Sequence, residues 1–161
     1  MSDALVIRDA RPGDEDAILA LLKDFAEFEK LTHTFRLTRE VISRDFMGAT
    51  RRVHCGVAEL GGAIVGVMTW YRTSSTFQAT QALFLEDLFV MPQFRGKGVA
   101  KALLKQLAHH AAKEGVTRIE WSVLDWNKVA IDFYAGVGAR KISGWESYRL
   151  SGDALERLAK A

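Results

Sequence analysis

Residues 83–104 read LFLEDLFVMPQFRGKGVAKALL, and their order decides how the chain is built. Leu83 to Val90 is a nearly continuous apolar run, as expected of a strand covered on both faces. Gln93 to Ala100 is a glycine-containing turn. Val99, Leu103, Leu104, Leu107 and Ala111 then recur at helical spacing, on a helix that stops near Gly115. Glycines at 96 and 98 let the backbone approach a ligand closely, and a helix start offers unpaired N–H groups to an anion. Arg95, Lys97, Lys101 and Lys105 add positive charge. Such a turn suits a phosphate or pyrophosphate. The spacing of a P-loop is absent, and a dinucleotide fingerprint needs a third glycine where Lys101 stands. Taken alone, the two glycines fit an ordinary turn before a basic helix equally well.

Working outward, Leu5 to Arg8 reads as a short strand, and Pro12-Gly13-Asp14 marks a turn into a helix over Asp16 to Lys30. On that helix Ala17, Leu21, Phe25 and Phe28 share a face. Thr38 caps a second helix that ends near Gly48. Val53 to Leu60 and Ala63 to Tyr71 are strands joined through Gly61-Gly62, a two-residue hairpin signal. Arg72 to Gln81 reads as a polar loop. Beyond Gly115, Ile119, Trp121 and Val123 alternate with polar residues, as in a strand. A helix over Lys128 to Val137 follows, then a last strand over Ala139 to Leu150, and Ser151-Gly152-Asp153 starts a short terminal helix. The order predicts a single α/β domain over residues 1–161, a mixed, mostly antiparallel sheet with helices on both faces.

Composition narrows the function. The chain has 161 residues, 48% hydrophobic and 26% charged, enough for one core without disulfides or metal. A net charge of +2 argues against a bulk nucleic-acid binder. The single Cys55 excludes an internal disulfide and suits a reducing compartment. No apolar run approaches the roughly 20 residues of a membrane span, and the N-terminus lacks a signal-peptide pattern. The expectation is a cytoplasmic protein with no membrane or nucleic-acid partner. The charge is unevenly divided. Pro12 to Lys30 carries six acids and two bases, whereas Leu88 to Lys113 carries five bases and no acid. That division suits an anionic cofactor and a cationic acceptor.

Several separated motifs occur together: Ala26-Glu27-Phe28-Glu29-Lys30-Leu31, Leu85-Glu86-Asp87, Val90-Met91-Pro92 before Arg95-x-x-Gly98-x-Ala100, Val123-Leu124-Asp125-Trp126-Asn127, and Phe133-Tyr134. On these residues the chain resembles the GNAT acyl-CoA N-acyltransferases, and within them the diamine and thialysine acetyltransferase branch. The resemblance implies the GNAT fold, acetyl-CoA as cosubstrate, no metal, and a homodimer. It also implies transfer of an acetyl group to the primary amine of a small diamine or amino acid, by direct attack in a ternary complex.

The resemblance also implies roles for particular residues. Leu88, Phe89 and Val90 would offer backbone hydrogen bonds to the pantetheine arm, the Val90 N–H stabilising the oxyanion. Arg95, Gly96, Lys97, Gly98, Val99, Ala100 and Lys101 would take the pyrophosphate. Tyr134 would protonate the departing thiolate, with Asn127 and Ala130 against the cofactor. Asn127 and Tyr134 are seven residues apart, two turns of helix, which independently suits a shared face. Glu86 would hold the substrate ammonium and relay its proton. A carboxylate in an apolar strand needs such a reason, because burying it unpaired costs several kcal/mol. Its neighbour Asp87 is expected in a structural salt bridge with a helix Arg or Lys. Phe28, Glu29 and Glu146 match substrate-contacting positions, although Glu29 and Glu146 equally suit solvated surface. The polyamine-specific members carry an acid and a Trp before Leu-Glu-Asp, whereas Ser74 to Thr80 here has neither. Fewer carboxylates favour a thialysine-like acceptor over spermidine.

Two other readings stay open: a GNAT enzyme acetylating a protein N-terminus or lysine, and a non-catalytic acetyl-CoA-binding module. His33, His54, His109 and His110 show no metal-ligand spacing. Cys55 reads as an inert buried thiol, and Trp70, Trp121 and Trp126 as sheet packing.

Overall fold

The computed structural model describes residues 4–161. Within it the chain forms two compact units, divided between Asp125 and Trp126. The first unit carries β1 (Val6–Asp9), α1 (Glu15–Phe28), α2 (Arg39–Phe46), β2 (His54–Leu60), β3 (Ala63–Ser75), β4 (Thr80–Val90), α3 (Val99–Lys113) and β5 (Ile119–Glu120). The five strands form one sheet in the order β1-β2-β3-β4-β5. Neighbours from β1 to β4 are antiparallel, and β4 pairs with β5 in parallel through Leu83–Ile119 and Phe84–Glu120.

Strand alternation sorts the apolar side chains into two cores. Cys55, Val57, Val67 and Phe89 meet Ile18, Leu21 and Leu22 of α1 and Ile42 and Phe46 of α2. Ala58, Met68, Trp70, Leu83 and Leu85 meet Val99, Leu103, Leu107 and Ala111 of α3, a stripe at four-residue steps. Helices therefore cover both faces, as the strand-turn-helix order predicts. The Thr38 hydroxyl accepts the Val41 N–H and caps α2. Gly61 and Gly62, both at positive φ, close the β2–β3 hairpin between Leu60 and Ala63.

Three expectations need correction. Arg72 to Gln81 is not a loop: β3 runs to Ser75, β4 starts at Thr80, and only residues 76–79 turn. Pairs such as Thr73 with Ala82 and Ser75 with Thr80 hold strand geometry with little apolar alternation to announce it. The strand after α3 is two residues long and does not reach Trp121 or Val123. The strand expected over Ala139 to Leu150 is absent, because among the described residues that segment has no ladder partner and Gly144 breaks the run at φ +83.

The second unit holds α4 (Lys128–Gly136) and α5 (Gly152–Ala159). Trp126, Trp145, Tyr148 and Leu158 are exposed, whereas Trp70 is buried between the rings of His54 and His110.

Candidate functional site

The C-terminal half of β4 carries most of the site. Opposite it on β3, Thr69 pairs with Asp87 and Trp70 with Leu85, so Glu86 is an extra residue in a β-bulge. The bulge takes Glu86 out of the pleat, and its side chain is exposed while its neighbour's is not. The Tyr71 hydroxyl donates to the Glu86 carboxylate at 3.4 Å, a long contact.

The bulge also sets the backbone. The Met91 N–H donates to the Val65 carbonyl, and in an antiparallel ladder the groups of successive residues alternate in direction. Phe89 therefore turns its N–H and C=O toward β3, while Leu88 and Val90 turn theirs to the opposite edge. β5 pairs only with Leu83 and Phe84. Among the described residues no strand covers the Leu88–Val90 edge, so the backbone groups of Leu88 and Val90 point out of the ladder and those of Phe89 do not. The Phe89 ring is buried against Phe25.

At the end of β4 comes the glycine loop. Gly96 and Gly98 have φ of +73 and +80, and open space lies where a Cβ would stand on either. A non-glycine residue would adopt either conformation only under strain. Gly98 is the N-cap of α3 and provides no side-chain cap. The first bond of the helix runs from the Ala102 N–H to the Gly98 carbonyl, which leaves the N–H groups of Val99, Ala100 and Lys101 outside the helical ladder. With exposed Lys97 and Lys101 beside it, this helix start fits a pyrophosphate group. The Arg95 side chain, in contrast, reaches across to the end of α1, although the residue stays exposed. Its Nε donates to the Val90 carbonyl at 2.8 Å, and its guanidinium lies 5.3 Å from the ring centres of both Phe28 and Phe89.

Carboxylates gather on the α1 side of the sheet. Asp87 is not in the expected salt bridge with a helix Arg or Lys. Its partner is the buried Thr69 hydroxyl directly across the ladder. Burial pushes the Asp87 carboxyl up to about 6 against the lowering effect of the Thr69 bond, and the charge of Glu86 adds to the rise. Glu29, just past the end of α1, is also raised, by burial and by the Asp87 charge. Two carboxyl groups raised in this way, Asp87 by burial and Glu29 by burial and by the Asp87 charge, suit a cation. Two other acids of the acidic stretch are used elsewhere. Arg8 ties down Asp14 at 2.7 and 3.0 Å, and Glu15 accepts from Ser43 and from the Gly13 N–H. Phe28, beside Glu29, is partly exposed. Sequence reasoning missed the raised carboxyl of Asp87; the signal lay in Thr69, one strand away.

In the second unit Asn127 is buried, and its Oδ1 accepts the Ala130 N–H as the N-cap of α4. Its amide oxygen is thereby engaged in the cap, and its Nδ2 stays available as a donor. Ala130 stands in the first turn. Tyr134 lies two turns on, partly buried, with its ring 5.3 Å from that of Phe133. Glu146 is exposed on the irregular segment and accepts from the Tyr148 hydroxyl at 2.9 Å.

Cys55 is buried, and burial raises its thiol strongly, which suits a packing role. Among the described residues no group of three or more His, Cys, Asp or Glu side chains is arranged to hold a metal, and no helix is long and apolar enough to cross a membrane.

Residues 16–139 match the model of the acetyltransferase (GNAT) family. The chain belongs to the GNAT acetyltransferases. It is 35% identical over 166 residues to the thialysine N-epsilon-acetyltransferase of Bos taurus, across 96% of this chain and 97% of that protein. It is also 40% identical over 97 residues to an L-ornithine N5-acetyltransferase of Arabidopsis thaliana, across 60% of this chain and 42% of that one. Among solved structures, an integron cassette protein from the mobile metagenome of V. cholerae superposes with a TM-score of 0.77 at 26% identity, covering 100% of this chain and 99% of the other. This GNAT chain is accordingly an acetyl-transferring enzyme of α/β fold.

Proposed function

We propose that the protein transfers the acetyl group of acetyl-CoA to a primary amine of a small diamine or amino acid of the thialysine kind, by direct attack in a ternary complex. One observation carries this reading. A single strand, β4, leads from the Asp87 carboxyl, whose affinity for protons burial raises, into a loop whose helix-start N–H groups and lysines suit an anion. The relatives' names, thialysine and L-ornithine acetyltransferases, support a small amine as acceptor.

Bound acetyl-CoA supplies an electrophilic thioester. The N–H groups of Val99, Ala100 and Lys101, with Lys97, hold the pyrophosphate, and the Leu88 and Val90 edge receives the pantetheine arm. The Val90 N–H is a fixed donor for a carbonyl oxygen that gains negative charge. Glu29, Glu86 and Asp87 bind the ammonium form of the acceptor and draw off its proton, burial having pushed the Asp87 carboxyl up to about 6. Phe28 flanks the amine, and Glu146 adds a further carboxylate to its recognition. Tyr134 returns a proton to the leaving sulfur, and Asn127 and Ala130 line the cofactor's path. In this reading both units serve one catalytic domain.

Initial rates with acetyl-CoA and ornithine or thialysine both varied should give intersecting double-reciprocal lines. Parallel lines would mean an acetylated enzyme and contradict direct attack.

The reading includes a homodimer and a cytoplasmic location, with no nucleic-acid or membrane partner. The dimer is supported by the exposed Trp145, Tyr148, Leu155 and Leu158, apolar surface that a second copy would bury. The location is supported by a lone, buried, unpaired cysteine. Light scattering should report twice the chain mass of 17.9 kDa; a single-chain mass would contradict the dimer.

A further inference from the structure

The Arg95 side chain touches both halves of the site at once. Arg95 opens the glycine loop, yet its guanidinium sits 5.3 Å from the ring centre of Phe28, the last residue of α1, and equally far from that of Phe89 on β4. Its Nε holds the Val90 carbonyl at 2.8 Å. Phe89 in turn stacks on Phe25, one turn back along α1, with ring centres 5.3 Å apart. Only a guanidinium makes this set of contacts, because its planar face covers aromatic rings while its N–H edge stays free for a carbonyl. A lysine ammonium lacks that fork and cannot satisfy the carbonyl and both rings together.

The consequence follows from what each end carries. Loop residues 96–101 begin immediately after Arg95. Glu29, with its raised carboxyl, immediately follows Phe28. We propose that Arg95 is a positioning residue that couples the cofactor loop to the acceptor end of α1, acting through Phe28 and the Val90 carbonyl rather than by touching phosphate. Ordering of the loop by a bound cofactor fixes Arg95, which fixes Phe28 and the adjacent Glu29. By linkage the coupling runs equally in the other direction. The inference rests on the reading that this loop takes CoA.

The test is a double-mutant cycle read by calorimetric binding of CoA, which needs no turnover. The proteins are the wild type, Arg95→Lys, Phe28→Leu and the double variant, each first checked for an unchanged thermal transition. Phe28 is assigned to the amine side, so a merely local role leaves CoA affinity untouched by its loss. Coupling predicts that Phe28→Leu weakens CoA binding about fivefold, the lower end of ordinary couplings, and has no further effect once Arg95 is lysine. Hydrogen exchange supplies a second readout. CoA should slow exchange of the Glu29, Lys30 and Leu31 amides, which close the end of α1 on Phe25, Glu27 and Ala26, in the wild type and not in Arg95→Lys. Unchanged affinity in Phe28→Leu, or losses that simply multiply in the double variant, would overturn the coupling while leaving the acetyltransferase reading intact. Failure of the wild type to bind CoA would overturn both.

Discussion

Replacing Tyr134 with phenylalanine should lower kcat by about 100-fold or more, the usual worth of a positioned general acid, with little change in affinity for acetyl-CoA. Tyr134 lies on α4, where its backbone carbonyl accepts the N–H groups of Val137 and Ala139 at the helix end. Its ring meets that of Phe133. Phenylalanine keeps the ring and the helix and removes only the hydroxyl, so packing and cofactor affinity are preserved. The leaving thiolate then takes its proton from water. A proton needed only as the bond to sulfur breaks affects kcat and kcat/KM alike and spares binding. Steady-state rates together with calorimetric affinity for CoA check this, and equal kcat in the two proteins would remove Tyr134 from the chemistry.

The Asp87→Asn variant should lose about 100-fold in kcat/KM for the amine and should lose the acid limb of its pH profile. In the wild type, activity should fall as pH drops through about 6, where burial and Glu86 have brought the Asp87 carboxyl. Stability gives an independent check with a definite sign. The folded carboxyl holds its proton more tightly than the unfolded one, whose ordinary value is 3.8. Between pH 3.8 and about 6 the native state binds more protons, so stability is full at the acid end and is lost as pH rises through that window. Asparagine carries no charge to bury and still accepts from the Thr69 hydroxyl. The variant should therefore be more stable than the wild type at pH 8, on the order of 1–3 kcal/mol, and the gap should close in acid. Denaturant titrations at the two pH values measure it. Equal stabilities at pH 8 would mean that Asp87 bears no burden of burial.

The sheet and its helices were legible because apolar spacing changes period where the chain changes element. Val99, Leu103, Leu107 and Ala111 face one core in the structure as they do on a helical wheel. The polar arm of the β3–β4 hairpin was not legible, since exposed residues such as Ser74 and Gln81 pair through backbone alone. The segment after α4 misled for the opposite reason: Ala139 to Leu150 reads as a strand, but among the described residues no strand pairs with it. At the site, the glycine loop was plain from Gly96 and Gly98, because the residue type itself carries the backbone conformation. The roles of Glu86 and Asp87 depended on a bulge, and a bulge is set by the register with β3, which two adjacent acids do not announce. In sequence Arg95 stood among the residues expected to take the pyrophosphate. Its contacts with Phe28, Phe89 and Val90 join positions up to 67 residues apart in numbering, beyond the reach of local pattern.

The most direct test of acetyl transfer to a small amine is CoA thiol release compared across acceptors: thialysine, lysine, ornithine, putrescine, spermidine, and a peptide bearing a free N-terminus and a lysine. The loop before Leu85-Glu86-Asp87 carries no acid between Ser74 and Thr80, which weakens the attraction for a long polycation. Thialysine or ornithine should have the highest kcat/KM, above spermidine and well above the peptide. Turnover of the peptide with none of the small amines would contradict it.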